Sequence, residues 1–112
     1  MYKSRKLGHP VKDPNVKTIA SGLAPPYTGP NCYRHNIQFV DDMFLVSDDQ
    51  IRSAVKTLYQ SGLVVEPSGA AAFAALQNNK IPNVDGKKVV VVLTGGNMTP
   101  GELVQIMAEV KT

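Results

Sequence analysis

The sequence predicts an α/β fold: a layered, mostly parallel sheet with flanking helices. Three observations predict it. Short apolar runs alternate with helix-patterned segments from residue 43 onward, two of those segments open on a paired capping signal, and four valines stand in a row at 89–92. An apolar run without alternation suits a strand buried on both faces, as in parallel sheets. A repeating strand–helix order suits an α/β layer arrangement.

The 112 residues fit one domain, which divides near residue 40. Five of the eight prolines, Pro10, Pro14, Pro25, Pro26 and Pro30, lie before that point. Proline lacks an amide donor and turns the preceding residue away from helix. Residues 1–38 are therefore expected to form mostly a loop arm, with one short helix at 18–23. So long an irregular stretch suits a segment wrapped over a partner, or a piece of something larger.

Residues 39–112 read as a β-α-β-α-β-α core. Residues 43–46 form the first apolar run, a strand pattern. Ser47 with Gln50 three positions later is a capping box. Ile51, Ala54, Val55, Leu58 and Tyr59 then repeat at the spacing of one buried helix face. Gly62 suits the left-handed residue that ends such a helix. Residues 63–65 are the second strand, and 68–76 a second helix rich in alanine, able to approach a sheet closely. Asn78, Asn79 and Pro82 close it. Residues 84–87 turn the chain, 88–93 are the valine strand, and Thr99, Pro100 and Glu102 begin the last helix.

Composition narrows the function. The net charge of +3 is mild, and the four tyrosines and three phenylalanines do not interleave with the basic residues, so a nucleic-acid partner is not expected. The longest apolar runs fall well short of the about 20 residues of a membrane helix, so no membrane partner is expected either. The single cysteine, Cys32, cannot pair within the chain, which suits a reducing, cytoplasmic setting. His9 and His35 show no metal-ligand spacing, and no metal site is expected.

Ligands of open α/β sheets bind beyond the carboxyl ends of strands. Two loops hold that position. In the first, Glu66 precedes Pro67, Ser68 and Gly69; in the second, Thr94 precedes Gly95, Gly96 and Asn97. Paired glycines leave room for a flat ligand, and Thr94 and Asn97 offer hydrogen-bond donors and acceptors. A plain strand-to-helix turn explains the same residues and is the default on spacing alone. Glu66 reads either as a helix-start carboxylate stabilised by the dipole or as a site carboxylate; the helix-start reading needs fewer assumptions. Asp41, Asp42, Asp48 and Asp49 read as a turn and a helix-start cluster.

Taken together, Val-Glu-Pro-Ser-Gly-Ala-Ala-Ala at 65–72 and Gly-Lys-Lys-Val-Val-Val-Val-Leu-Thr-Gly-Gly-Asn at 86–97 resemble a C-terminal signature. It is that of the fold-type II, tryptophan-synthase-β-like pyridoxal-phosphate enzymes, in the serine/threonine dehydratase and serine racemase branch. Thr-Ile-Ala-Ser-Gly at 18–22 is similar to that branch's Thr-Ile-Ala-Asp-Gly, and residues 40–51 to its next strand and helix. The resemblance runs from about residue 2 to 97.

It implies a pyridoxal 5'-phosphate site in which Thr94 bonds the pyridine nitrogen and Gly22 lies beside the ring. Glu66, Gly95 and Gly96 would be near the cofactor, and Asn97 matches a position that contacts nucleotide in racemases. A neutral hydroxyl at that nitrogen makes the ring a moderate electron sink, suited to loss of a β-hydroxyl. Two departures stand out. Ser21 replaces the usual aspartate, and Gly62 replaces the lysine of nucleotide-binding racemases, which favours a dehydratase. The Schiff-base lysine motif, the asparagine loop and the phosphate-binding glycines of the family have no match here.

The expectation is thus the C-terminal part of a cofactor domain, from a serine/threonine ammonia-lyase and inactive alone. Its partners would be a small hydroxy amino acid and the missing N-terminal part or a full-length homologue, in a homo-oligomer when complete. The alternatives are a racemase portion, a non-catalytic truncated module that binds a full-length enzyme, and an unrelated α/β ligand-binding domain.

Overall fold

The computed structural model describes residues 1–111. Its elements are helices α1 (Tyr2–Leu7), α2 (Pro30–Phe39), α3 (Asp48–Gln60), α4 (Pro67–Gln77) and α5 (Pro100–Ala108), with a 3-10 turn at Ser21–Leu23.

The α3–α4 pair holds the core. Both halves of the predicted capping box form at α3: Gln50 N–H donates to Ser47 Oγ at 3.2 Å, and Ser47 N–H donates to Gln50 Oε1 at 3.0 Å. Ile51, Ala54, Val55 and Leu58 are buried on one face, against Ala70 and Ala74 of α4. Alanine lets the two backbones come close, and Ala20 and Val65 fill the margins. Gly62, at φ +87°, takes the left-handed turn after α3, where Leu63 N–H donates back to Leu58 O at 2.9 Å.

α5 begins on the second capping box, between Thr99 and Glu102. It leans on the α3 side through Leu103 and Ile106. Charge fastens its far end: Arg52 Nε is 3.0 Å from Glu109 Oε2, Arg52 Nη1 donates to Asp49 at 3.1 Å, and Lys111 Nζ donates to Asp49 at 2.6 Å.

The arm is more ordered than its prolines suggest. Pro30 stands at the first position of α2, where a missing amide costs nothing, so the expected loop is a ten-residue helix. Arg5 secures the end of that helix by donating to the carbonyls of Asn36 and Val40 at 3.2 and 3.1 Å, a favourable place for a cation. Ser4 is fully buried and donates to Thr28 Oγ1 at 2.9 Å. The helix expected at 18–23 is reduced to the 3-10 turn.

Residues 43–46, 63–65 and 88–93 do not pair. Among the described residues the β pairing is a single antiparallel bridge, Lys12 to Tyr27, so the expected sheet is not formed within this chain. A strand needs neighbours for its amides and carbonyls, and helices supply none. Val90 is 89% exposed and Val92 65%, the reverse of a strand covered on both faces. The radius of gyration, 15.0 Å, also exceeds the about 13 Å of a compact domain this long.

Two outcomes follow. Val55→Ala should cost about 1–3 kcal/mol in urea unfolding, whereas Val90→Ser should stay within about 0.5 kcal/mol. The Lys111 hydrogen bond, with the charges of Lys111 and Arg52, holds the Asp49 carboxyl below its usual value. A depressed folded pKa stabilises above the unfolded pKa and is lost as pH falls through the folded one. The melting temperature at low salt should therefore sag below about pH 4, less so in Lys111→Ala, and salt should shrink the difference.

Candidate functional site

The two predicted loops meet at the N-terminus of α4. Glu66 is the N-cap residue, and Pro67 occupies the first turn without wasting an amide. Glu66 N–H donates to Gly95 O at 3.1 Å, joining the ends of segments 63–66 and 94–96. Gly69 explains how closely they meet: it is buried in the first turn of α4, and an added Cβ would fall inside the Thr94 carbonyl group. Gly95 sits at φ +71°, and a Cβ there would strike the Glu66 carboxylate. At Gly96 a Cβ would lie 3.2 Å from Val64 O.

Gly22 reaches the same place from the arm. Its N–H donates to Ser68 Oγ at 2.9 Å. Gly95 is thus in direct contact with Glu66, Thr94 with Gly69 and Gly96 with Val64, and Gly22 joins them through one hydrogen bond to α4. Glu66 and Asn97 share the wall of a 410 Å³ cavity with Ser21, Ser68 and Arg52. Gly22 lines a second, larger and mainly apolar cleft of 750 Å³. Thr94 lines neither, but lies exposed at the junction.

The side chains of Thr94, Asn97 and Glu66 make no hydrogen bond among the described residues, so their donors and acceptors are free for a group outside the chain. Glu66, Glu102 and Glu109 line the smaller cavity with one guanidinium, Arg52, which pairs with Glu109. Glu102 is committed to the helix cap: the Thr99 amide, then its hydroxyl, holds that carboxyl below its ordinary value. Among the described residues no three His, Cys, Asp or Glu side chains gather as metal ligands, and no helix is long and apolar enough to cross a membrane.

The contacts that Ser68 and Asp48 make with the arm escape a reading by motif. Ser68 and Asp48 hold the Gly22 segment, and only the folded chain brings them to it. Gly69 did carry a signal, because glycine inside a helix costs about 1 kcal/mol and marks a close approach.

The junction thus presents a hydroxyl, an amide and a carboxylate with no hydrogen-bond partner among the described residues. Residues 1–95 match the family model "Pyridoxal-phosphate dependent enzyme", and the chain belongs to that family. It is 38% identical over 98 residues to phenylserine dehydratase of Ralstonia pickettii, covering 87% of this chain and 30% of that protein. It is 35% identical over 100 residues to the biosynthetic L-threonine dehydratase of Pasteurella multocida, covering 88% and 20%. Maize serine racemase superposes with a TM-score of 0.79 at 31% identity, over 96% of this chain and 35% of that one. An L-serine ammonia-lyase from Rhizomucor miehei superposes at 0.86 over 98% and 37%, where 23% identity speaks for the fold alone. The chain therefore spans about a third or less of these relatives.

Gly69→Ala should destabilise by about 3 kcal/mol or more, since backbone rather than a flexible side chain blocks the new methyl. Gly86→Ala, at φ +73° with nothing within 4 Å, should cost only about 1 kcal/mol. Thermal melts of the two variants check the contrast.

Proposed function

We propose that this chain forms one wall of a pyridoxal 5'-phosphate site in an ammonia-lyase that acts on small hydroxy amino acids such as serine and threonine. The observation that carries it is the contact of Thr94 with Gly69 while its hydroxyl stays exposed and unpaired. The residues suit the cofactor: without side chains Gly22, Gly95 and Gly96 let their segments close on Ser68, Glu66 and Val64, and Thr94 offers a neutral, exposed hydroxyl beside them.

In this reading Thr94 holds the pyridine nitrogen through its hydroxyl, Gly22 faces the ring, and Glu66 and Asn97 border it. When bound, the cofactor supplies an electron sink for loss of the α-proton and the β-hydroxyl. A hydroxyl leaves the nitrogen without a full positive charge, which tempers that sink and favours elimination. The anchoring lysine and the phosphate cradle come from residues outside this chain.

The rest of the protein would also complete the fold. Residues 1–112 would be the C-terminal part of the cofactor domain, with 1–38 as its arm and 39–112 as its core. Segments 43–46, 63–65 and 88–93 then become strands of a layered, mostly parallel sheet, and the exposed valines gain their cover. The partner is the N-terminal part or a full-length homologue, and the complete enzyme is a homo-oligomer. The free thiol of Cys32 agrees with a cytoplasmic setting. Racemisation would use the same wall. The lyase is favoured because Gly62 serves the left-handed end of α3 and carries no cation toward a nucleotide.

Mixed with pyridoxal phosphate and serine, the chain alone should release no pyruvate. Joined to a lysine-bearing N-terminal part it should do so, and Thr94→Ala should then lower kcat/KM by about tenfold or more, the equivalent of one hydrogen bond. Thr94→Ser should keep most of the activity. Sustained pyruvate release by the chain alone, or an active Thr94→Ala equal to the parent, would overturn the proposal.

A further inference from the structure

The segment that carries Gly22 to the site runs without any ladder partner, yet the amides of Ile19, Ala20 and Gly22 each find a side-chain acceptor. Side chains from two different helices accept those of Ile19 and Gly22. On one side Asp48, the first residue of α3, receives the Thr18 hydroxyl on Oδ1 and the Ile19 N–H on Oδ2 at 3.2 Å. Thr18 Oγ1 then accepts the Ala20 N–H at 3.1 Å. On the other side Ser68, in the first turn of α4, accepts the Gly22 N–H at 2.9 Å.

Neither side chain serves its own helix. α3 is already capped by Ser47 and Gln50, so the Asp48 carboxylate is turned outward to the arm. α4 has Glu66 as its N-cap residue, with no side-chain cap bond, and Ser68 likewise faces the arm. The two contacts bracket Ala20, which is 2% exposed and fixed in the core between the helices. A glycine has no side chain with which to anchor itself, so its location depends on such neighbours.

We infer that Asp48 and Ser68 are positioning residues that set where Gly22 stands against the cofactor ring, acting through the 18–22 backbone without touching the cofactor. This rests on the reading of Gly22 as part of the cofactor wall. It assigns to the arm a defined face of the site, adjusted from both helices that build the core.

Amide hydrogen exchange on the labelled 112-residue chain tests the clamp. Asp48→Ala should speed exchange at Ile19 and Ala20 by about tenfold or more, as expected for losing a bond to a charged acceptor. Ser68→Ala should speed it at Gly22 by a smaller factor, and Ser68→Thr, which keeps the hydroxyl, should restore it. Val55 and Ala74, in the core of α3 and α4, should exchange as in the parent. If Asp48→Ala unfolds the chain, Asp48→Asn replaces it.

Titration with pyridoxal 5'-phosphate of the chain joined to a lysine-bearing N-terminal part, in its parent and Ser68→Ala forms, separates the positioning role from the wall itself. In the parent the Gly22 and Thr94 amide resonances should both move. In Ser68→Ala the Gly22 movement should shrink while that of Thr94 persists. Unchanged exchange at 19–22 in the Asp48 and Ser68 variants overturns the clamp. A Gly22 movement in Ser68→Ala equal to the parent's overturns the positioning role alone. Immobile Gly22 and Thr94 in the parent overturn the wall, and the positioning role with it.

Discussion

A helix backbone lying against a carbonyl group is the constraint on which the rest of this chain depends. α4 can reach Thr94 only because residue 69 has no side chain, and an added carbon would fall inside the Thr94 peptide group. That contact fixes the end of the valine segment relative to the α3–α4 core. It also brings Gly95 under Glu66, whose amide bonds Gly95 O. The loop that carries the Thr94 hydroxyl and the Asn97 amide is thereby joined to the residue that carries the Glu66 carboxylate. The requirement is steric, so it acts at any pH and salt concentration, unlike the ion pairs that fasten α5.

The two ways of holding a helix differ in strength. α3 and α4 share a dry face of Ile51, Val55, Leu58 and small alanines, where close packing gives the larger share of stability. α5 has no fully buried residue and relies on half-covered Leu103 and Ile106 with two charge pairs, one of Glu109 with the largely covered Arg52 and one of Lys111 with Asp49, both exposed. Exposed pairs contribute little each. α5 also forms part of the wall beside Glu66 and Asn97, so the more loosely attached helix borders the smaller cavity.

Much of this was legible in the sequence, where the signal was local. The capping boxes at Ser47 and Thr99 and the glycine end of α3 mark helix limits through neighbouring atoms. The nearness of Glu66 to the Thr94 loop was legible from the expected strand ends, and the resemblance put both in one site. α2 was hidden because Pro30 was counted with the other prolines as a breaker, although at a first helical position it is a starter. The expected strands illustrate the opposite failure. Four valines in a row state that a segment prefers to be covered, but they do not supply the covering strands. Asp48 and Ser68 were invisible as clamps because their partners lie 30 and 46 positions away, beyond any periodicity. Asp48 itself was read as helix-start charge, a description of its place that leaves out its contact.

The uncovered valines have a consequence for handling. A run of β-branched residues with neither charge nor proline, open along its edge, is the kind of stretch that recruits identical copies into fibrillar stacks. Lys87 and Lys88 stand immediately before it, both exposed. Adjacent ammonium groups of that sort act as gatekeepers, since stacking would line them up at spacings where they repel. High salt or lysine acylation would lift that guard, making shelf life in buffer a matter of two side chains outside the site.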